Sequence, residues 1–175
     1  MICLIGYKVG LFNYTIAIYN DWVIKQGEEK IAYKVNFSFD EDTFPKERAF
    51  LKQYYEDEYG EYTRADIEAR PEAADLFQLQ LGIETYDIDE DGDQDILAYF
   101  QEHGLCGSRG CLFIIFRNDN GKYVNMFNQN GGGGVTVYNQ VSILKNKTNG
   151  VHDIGFYDFS NFSIWKWNNA KQRYE

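Results

Sequence analysis

Residues 87–95 restrict the fold more than any other part of the sequence, because they read DIDEDGDQD and place an aspartate at every second position. Carboxylates this close repel one another strongly unless a cation lies between them. Calcium takes about six to eight oxygen ligands, so a short loop that binds it must supply several carboxylates while turning tightly. The run therefore predicts a calcium-binding loop, the alternative being a solvated acidic loop without an ion. The predicted ligands are Asp87, Asp89, Asp91, Asp93 through its backbone carbonyl, and Asp95.

This loop differs from an EF-hand, which needs a bidentate glutamate where Ala98 stands and a helix on both sides. Here the apolar run 96–100 follows directly. The segment 86–100 resembles the Asp-x-Asp-x-Asp-Gly-x-x-Asp loops of FG-GAP and VCBS-type repeats. With the motif CGSRGC at 106–111, it is also similar to bacterial extracytoplasmic proteins that carry such a strand followed by a Cys-Gly-x-x-Gly-Cys loop. In those families the ion is structural, which implies a stabilising calcium rather than a catalytic one.

A weaker copy of the same pattern occurs later in the chain. Residues 149–154 (NGVHDI) align with residues 91–96 (DGDQDI), and each segment is followed by a predicted strand. Lys145 and Lys147 stand where the first copy has Asp87 and Asp89, so the second copy is not expected to bind calcium. Two copies are too few for a closed propeller, which takes at least about four blades. The pattern favours a small sheet assembly with a partial FG-GAP-like repeat.

The first half of the chain combines strand and helix signals. Residues 31–39 alternate apolar and polar side chains, and with a strand predicted over 11–19 they form a candidate hairpin. An early proline and apolar residues at helical spacing predict a helix over about 45–58. A proline near its start and a glycine at its end predict a second helix over 70–82.

The second half returns to a strand pattern from Ile83 onward. The turn NDNG at 118–121 predicts a hairpin. The predicted strands are 96–100, 111–116, 123–127, 135–138, 153–159 and 162–167. This order of elements predicts an α+β fold that is mainly antiparallel β with about two helices in the middle third.

The length of 175 residues fits a single domain covering 1–175. Within it we expect N-terminal strands over 1–43, a helical insert over 44–82, and the calcium loop with an antiparallel β meander over 83–175.

Cys106 and Cys111 flank a turn that contains two glycines, which allows their sulfur atoms to approach, and a disulfide is predicted. Two reduced thiols, or a zinc site that uses His103 or His152, are the alternatives. Cys3 is then an unpaired thiol, expected in the core. A disulfide beside a calcium loop favours an oxidising location, and the bacterial periplasm is predicted. The first residues lack the features of a signal peptide, so such a signal is not visible in this chain.

The charge of the chain restricts its partners. Lysine and arginine number 17 against 27 acidic residues, a formal net charge of −10, and no basic run occurs. Nucleic acid is therefore excluded as an expected partner, and a basic protein is favoured because an acidic surface attracts it. No segment is apolar over the length of a membrane span, so no transmembrane helix is predicted.

These observations favour a non-catalytic binding protein that acts as an inhibitor or immunity protein of a cell-wall hydrolase or secreted toxin. Ser108 and Arg109, at the tip of the predicted disulfide loop, are the candidate partner contacts, because a short rigid loop enters a cleft at little ordering cost. The alternative is that both are ordinary turn residues. The usual catalytic motifs are missing from the sequence. The alternatives are a calcium-dependent hydrolase that uses paired acids, or a structural surface or adhesion module.

Overall fold

The computed structural model describes residues 30–127, 133–138, 140–158 and 161–175. Helix α1 spans Pro45–Ala69, and 3₁₀ helices span Pro71–Phe77 and His103–Leu105. The strands are β1 (Ile31–Lys34), β2 (Gln80–Tyr86), β3 (Asp95–Gln101), β4 (Cys106–Gly107), β5 (Gly110–Asp119), β6 (Lys122–Asn125), β7 (Val135–Val137), β8 (Val141–Thr148), β9 (Val151–Asp158), β10 (Asn161–Trp165), β11 (Trp167–Asn168) and β12 (Arg173–Tyr174).

The strands form two main antiparallel sheets. The first has the order β2-β3-β5-β4, with β6 and β7 also paired to β5, and the second has the order β1-β8-β9-β10. Strands β11 and β12 form a separate ribbon. This architecture confirms the predicted α+β fold with mainly antiparallel β structure.

The first sheet lies between α1 and the second sheet. On one face, Phe116 of β5 contacts Phe50 and Tyr54 of α1 in edge-to-face geometry. On the other face Phe113 contacts Phe127, which in turn contacts Trp165 of β10. Strand β3 is covered on both faces, which explains why its residues form a continuous apolar run rather than an alternating one.

Helix α1 begins at the predicted proline but continues eleven residues past the predicted end at 58. Gly60 is a buried residue in the interior of α1, so this glycine does not end the helix. None of the helices in the described ranges is long and apolar enough to cross a membrane.

The second predicted helix, over 70–82, is only partly present. A 3₁₀ helix ends at Phe77, and residues from Gln80 onward belong to β2. Leu81 and Ile83 are buried there. Hydrogen bonds to β3 satisfy the backbone N–H and C=O groups that would be paired within a helix if one formed. Sheet pairing therefore overrides the local helix signal.

Other predicted boundaries also change. Only Ile31–Lys34 of the predicted strand over 31–39 forms a continuous strand, although Ser38 makes an isolated bridge with Ile83. The hairpin partner over 11–19 lies outside the described residues. The predicted meander over 83–175 is divided between two sheets because β8, which pairs with β1, joins the second. The hairpin at 118–121 is confirmed, with Asn120 and Gly121 at positive φ.

Candidate metal centre

The acidic loop connects β2 to β3, and the pair Tyr86 and Asp95 closes it. Two backbone N–H groups of the loop donate to the Asp87 carboxylate: that of Asp91 at 3.1 Å and that of Gly92 at 3.0 Å. The Asp91 carboxylate accepts from the N–H of Asp93 at 2.9 Å. Gly92 has φ of +100°, a conformation that glycine adopts easily, so it supplies the predicted turn.

Three of the five predicted ligands come together. Asp87, Asp89 and Asp95 each offer one carboxylate oxygen, and these oxygens lie within 4.8 Å of one another. Asp95 is fully buried, and its two oxygens accept from the N–H groups of Ile88 and Asn118, each at 2.8 Å. The Oδ1 atom of Asp89 is buried and has no hydrogen-bond partner among the described residues. A buried acceptor without a donor is the feature that a bound cation would explain.

Burial raises the pKa of Asp95 to about 7, against the opposing effect of its two N–H donors. Burial, together with the negative charge of Asp91, also raises the pKa of Asp89. Both shifts have the same cause: carboxylates are removed from water and placed near one another, and for Asp89 the opposing charge of Arg117 is too weak to offset this. A cation between them would stabilise the ionised forms, and the oxygen-only ligand set suits a hard metal ion.

Asp91 and Asp93 lie outside this cluster. Both side chains are exposed, and the Asp91 carboxylate accepts from the N–H of Asp93. The cluster consists of carboxylates only, so ligation by Asp91 and by the backbone carbonyl of Asp93 stays a prediction. The structure thus supports a possible acidic metal site centred on Asp87, Asp89 and Asp95.

Sequence reasoning missed the group that connects this loop to the second sheet. Glu90, at φ of +57°, forms an ion pair with Lys147, and its carboxylate also contacts the Nε2 atom of the His152 ring. The backbone N–H of His152 donates to the carbonyl oxygen of Ile88 at 2.9 Å. The weaker copy of the loop pattern was the available signal. When residues 149–154 are aligned with 91–96, Lys147 stands where the first copy has Asp89.

The two aligned copies share a buried aspartate. Asp153 stands where the first copy has Asp95, and its side chain is 3% exposed. Its Oδ1 atom also has no hydrogen-bond partner in the part of the chain that is described. Lys145 and Lys147 lie on β8 instead of in a loop, because the second copy turns through Asn149 and Gly150 directly into β9.

The second predicted site is a hairpin closed by a disulfide between Cys106 of β4 and Cys111 of β5, which are paired across the two strands. This bond replaces both the reduced-thiol and the zinc alternatives at these two positions. Ser108 and Arg109 form the exposed tip. The Tyr138 hydroxyl donates to the carbonyl oxygen of Ser108 at 2.7 Å and holds the tip against the end of β7. Cys3 lies outside the described residues.

No family model, no curated protein and no solved structure matches this chain.

Proposed function

We propose that this chain is a non-catalytic, calcium-stabilised binding protein of the bacterial periplasm that inhibits a basic protein, either a cell-wall hydrolase or a secreted toxin. The observation that carries the proposal is the cluster of Asp87, Asp89 and Asp95 with its buried, unpartnered Asp89 oxygen. A loop of this kind stabilises a fold without requiring a substrate-accessible position on the metal.

Calcium is the ion proposed because all the clustered donors are oxygens. Magnesium demands nearly octahedral geometry and keeps several bound waters. Asp95 is fully buried, so this side of the cluster has little room for water. Calcium accepts irregular sets of carboxylate and carbonyl oxygens, and the resemblance of residues 86–100 to FG-GAP and VCBS-type loops supports the same choice.

The binding role rests on the disulfide hairpin and on charge. The bond between Cys106 and Cys111 and the hydrogen bond from Tyr138 to Ser108 hold the exposed tip in one conformation. A tip that is already ordered loses little conformational entropy when it enters a cleft. The net charge of −10 attracts a basic partner and increases the rate of encounter at low salt.

The metal part of the proposal is tested by thermal unfolding in calcium and in chelator. Wild type should unfold at a higher temperature with calcium, because a ligand of the native state stabilises it by mass action. Asp89→Asn should lose this difference, whereas Asp42→Asn, an exposed aspartate outside the loop, should keep it. Equal midpoints in calcium, magnesium and chelator, with no metal found by elemental analysis, would contradict a calcium site.

The partner part is tested with purified components. A basic hydrolase or toxin recovered with this chain from a periplasmic or secreted fraction should form a one-to-one complex and lose activity in it. Arg109→Ala should weaken that complex at least tenfold, while Lys46→Ala, an exposed cation on α1, should not. Inhibition that is indifferent to Arg109, or a complex without inhibition, would count against the proposed role.

A further inference from the structure

A polar cleft opens at the end of β2 and β3 that lies farthest from the acidic loop. It lies between the 3₁₀ helices Pro71–Phe77 and His103–Leu105 and has a volume of about 330 Å³. Its lining is dominated by side chains that carry oxygen acceptors: Asp75, Gln78, Gln80, Gln101 and Glu102.

Glu102 is the unusual member of this lining, because its side chain is only 3% exposed. Its Oε1 atom accepts from the N–H of Gly104 at 2.9 Å. Its Oε2 atom is buried and has no hydrogen-bond partner among the described residues. A buried carboxylate oxygen without a donor is costly, and a donor brought by a ligand would satisfy it after a small adjustment of the Glu102 side chain.

The charges around the cleft favour a cation over an anion. Asp75 and Glu102 contribute two carboxylates, and His103 is the one basic side chain in the lining, which includes no lysine or arginine. The nearby Arg70 lies over the Phe77 ring, 5.5 Å from its centre, and pairs with Asp66 at 3.7 Å. Arg70 is therefore engaged by Phe77 and Asp66 and does not line the cleft.

We propose that this cleft binds the cationic end of a lysine or arginine side chain, whose N–H donors face the carboxylates of Asp75 and Glu102 and the amide oxygens of the glutamines. This inference rests on the proposed function, in that the side chain belongs to the basic partner. Cys106 lines the cleft and also closes the disulfide hairpin, so the cleft borders the base of the hairpin that carries the tip.

The cleft is separate from the acidic loop. Gln80 and Gln101 pair at one end of the β2–β3 hairpin, and Tyr86 and Asp95 pair at the other. Six residue steps along a strand span about 20 Å, so the cation that fills the cleft does not meet the metal centre. Variants of the two sites can therefore be examined independently.

The test is a titration of the calcium-loaded, isotope-labelled protein followed by amide NMR shifts. The probes are Nα-acetyl-lysine methylamide and Nα-acetyl-arginine methylamide, with Nα-acetyl-norleucine methylamide as the uncharged control. We expect saturable shifts at Gly104, Leu105 and Cys106 with at least one cationic probe and none with norleucine. Asp75→Asn and Glu102→Gln should each weaken binding at least threefold, and Asp42→Asn should leave it unchanged.

Glu102→Gln keeps an acceptor for the Gly104 N–H, and Asp75 is exposed, so both variants should fold like wild type. Absence of shifts at these amides with both cationic probes, or equal shifts with norleucine, would overturn the inference. Unchanged affinity in both variants would overturn it as well. These outcomes need no protein partner and therefore test the cleft alone. The proposed inhibitory role is tested separately, by the experiment with the purified partner.

Discussion

The Nε2 atom of His152 lies 3.1 Å from Oε1 of Glu90, so a residue of the second sheet holds the acidic loop of the first. The Nδ1 atom of the same ring faces the carbonyl oxygen of Leu144 at 2.6 Å, and the ring is buried. Lys147 adds an ion pair to the same carboxylate. Because Glu90 stands between Asp89 and Asp91, the position of the second sheet and the shape of the loop depend on one another.

The first prediction concerns this connection. Glu90→Gln should lower the unfolding midpoint by a few degrees, because the carboxylate is the shared partner of His152 and Lys147. The double variant Glu90→Gln/Lys147→Met should lose less than the sum of the single losses, since the two residues act on one interaction. Thermal unfolding in calcium measures both effects.

Glu41→Gln serves as the matched control. Glu41 is 63% exposed, close to the 59% of Glu90, but its near partner Lys52 is 57% exposed, whereas His152 is 7% exposed. Its contact with Arg48 is longer, at 3.7 Å, and ion pairs between two exposed side chains contribute little. Equal midpoint losses for Glu90→Gln and Glu41→Gln would show that Glu90 does not connect the two sheets.

The second prediction concerns pH in metal-free buffer. The Asp95 pKa is about 7 in the folded chain and about 4 in an unfolded one, so the folded state binds this proton more tightly. The contribution of Asp95 to the free energy of unfolding is then at its full value below about pH 4. It is lost as pH rises towards about 7, a decrease of about 2–4 kcal/mol. Asp95→Asn should remove most of this slope, as measured by urea unfolding at several pH values.

Calcium should reverse that trend, because the ion binds the ionised carboxylate of Asp95 and competes with the proton for it. The calcium-induced increase in stability should therefore grow as pH rises from 5 to 7. A stability difference between wild type and Asp95→Asn that stays constant over this pH range in metal-free buffer would show that burial does not control Asp95.

The third prediction concerns Arg48, which is 3% exposed at the start of α1. Its guanidinium donates to the carbonyl oxygens of Thr43, Leu81 and Ser38, and so joins the helix to β2 and to the segment after β1. Arg48→Met should destabilise the fold by about 2–4 kcal/mol, because the buried Leu81 carbonyl and the partly buried Thr43 carbonyl lose the guanidinium donor. Arg48→Lys should recover little, since an ammonium cannot reproduce the planar fork.

Lys52→Met is the control for this experiment, because Lys52 is exposed and shares the partner Glu41 with Arg48. It should change stability by less than about 0.5 kcal/mol, as is usual for surface substitutions. Similar losses at both positions in urea unfolding would contradict the structural role assigned to Arg48.

The fourth prediction concerns the disulfide hairpin. Cys106→Ala/Cys111→Ala should lower stability by about 2 kcal/mol, because the bond closes only a short loop. The amide of Arg109 should exchange with deuterium faster once the tip is freed. Tyr138→Phe removes only the hydrogen bond to Ser108 and should give a smaller increase in exchange. Unchanged exchange in the double variant would mean that the tip is ordered without the disulfide.

The sequence by itself determined the features that depend on neighbouring residues. The alternating aspartates with Gly92 indicated an acidic loop that turns tightly, the NDNG segment indicated a hairpin, and the spacing of Cys106 and Cys111 indicated a bond. Each of these results from short-range geometry, which spacing and residue type specify directly.

The tertiary structure decided what depends on distant segments. Residues 80–82 pair with β3 although their local pattern favours a helix, and Gly60 stays inside α1. The contacts of Glu90 with His152, 62 positions away, and the burial of Glu102 arise only when separate parts of the chain pack together. Burial and long-range pairing are properties of the assembled fold, so no local pattern could specify them.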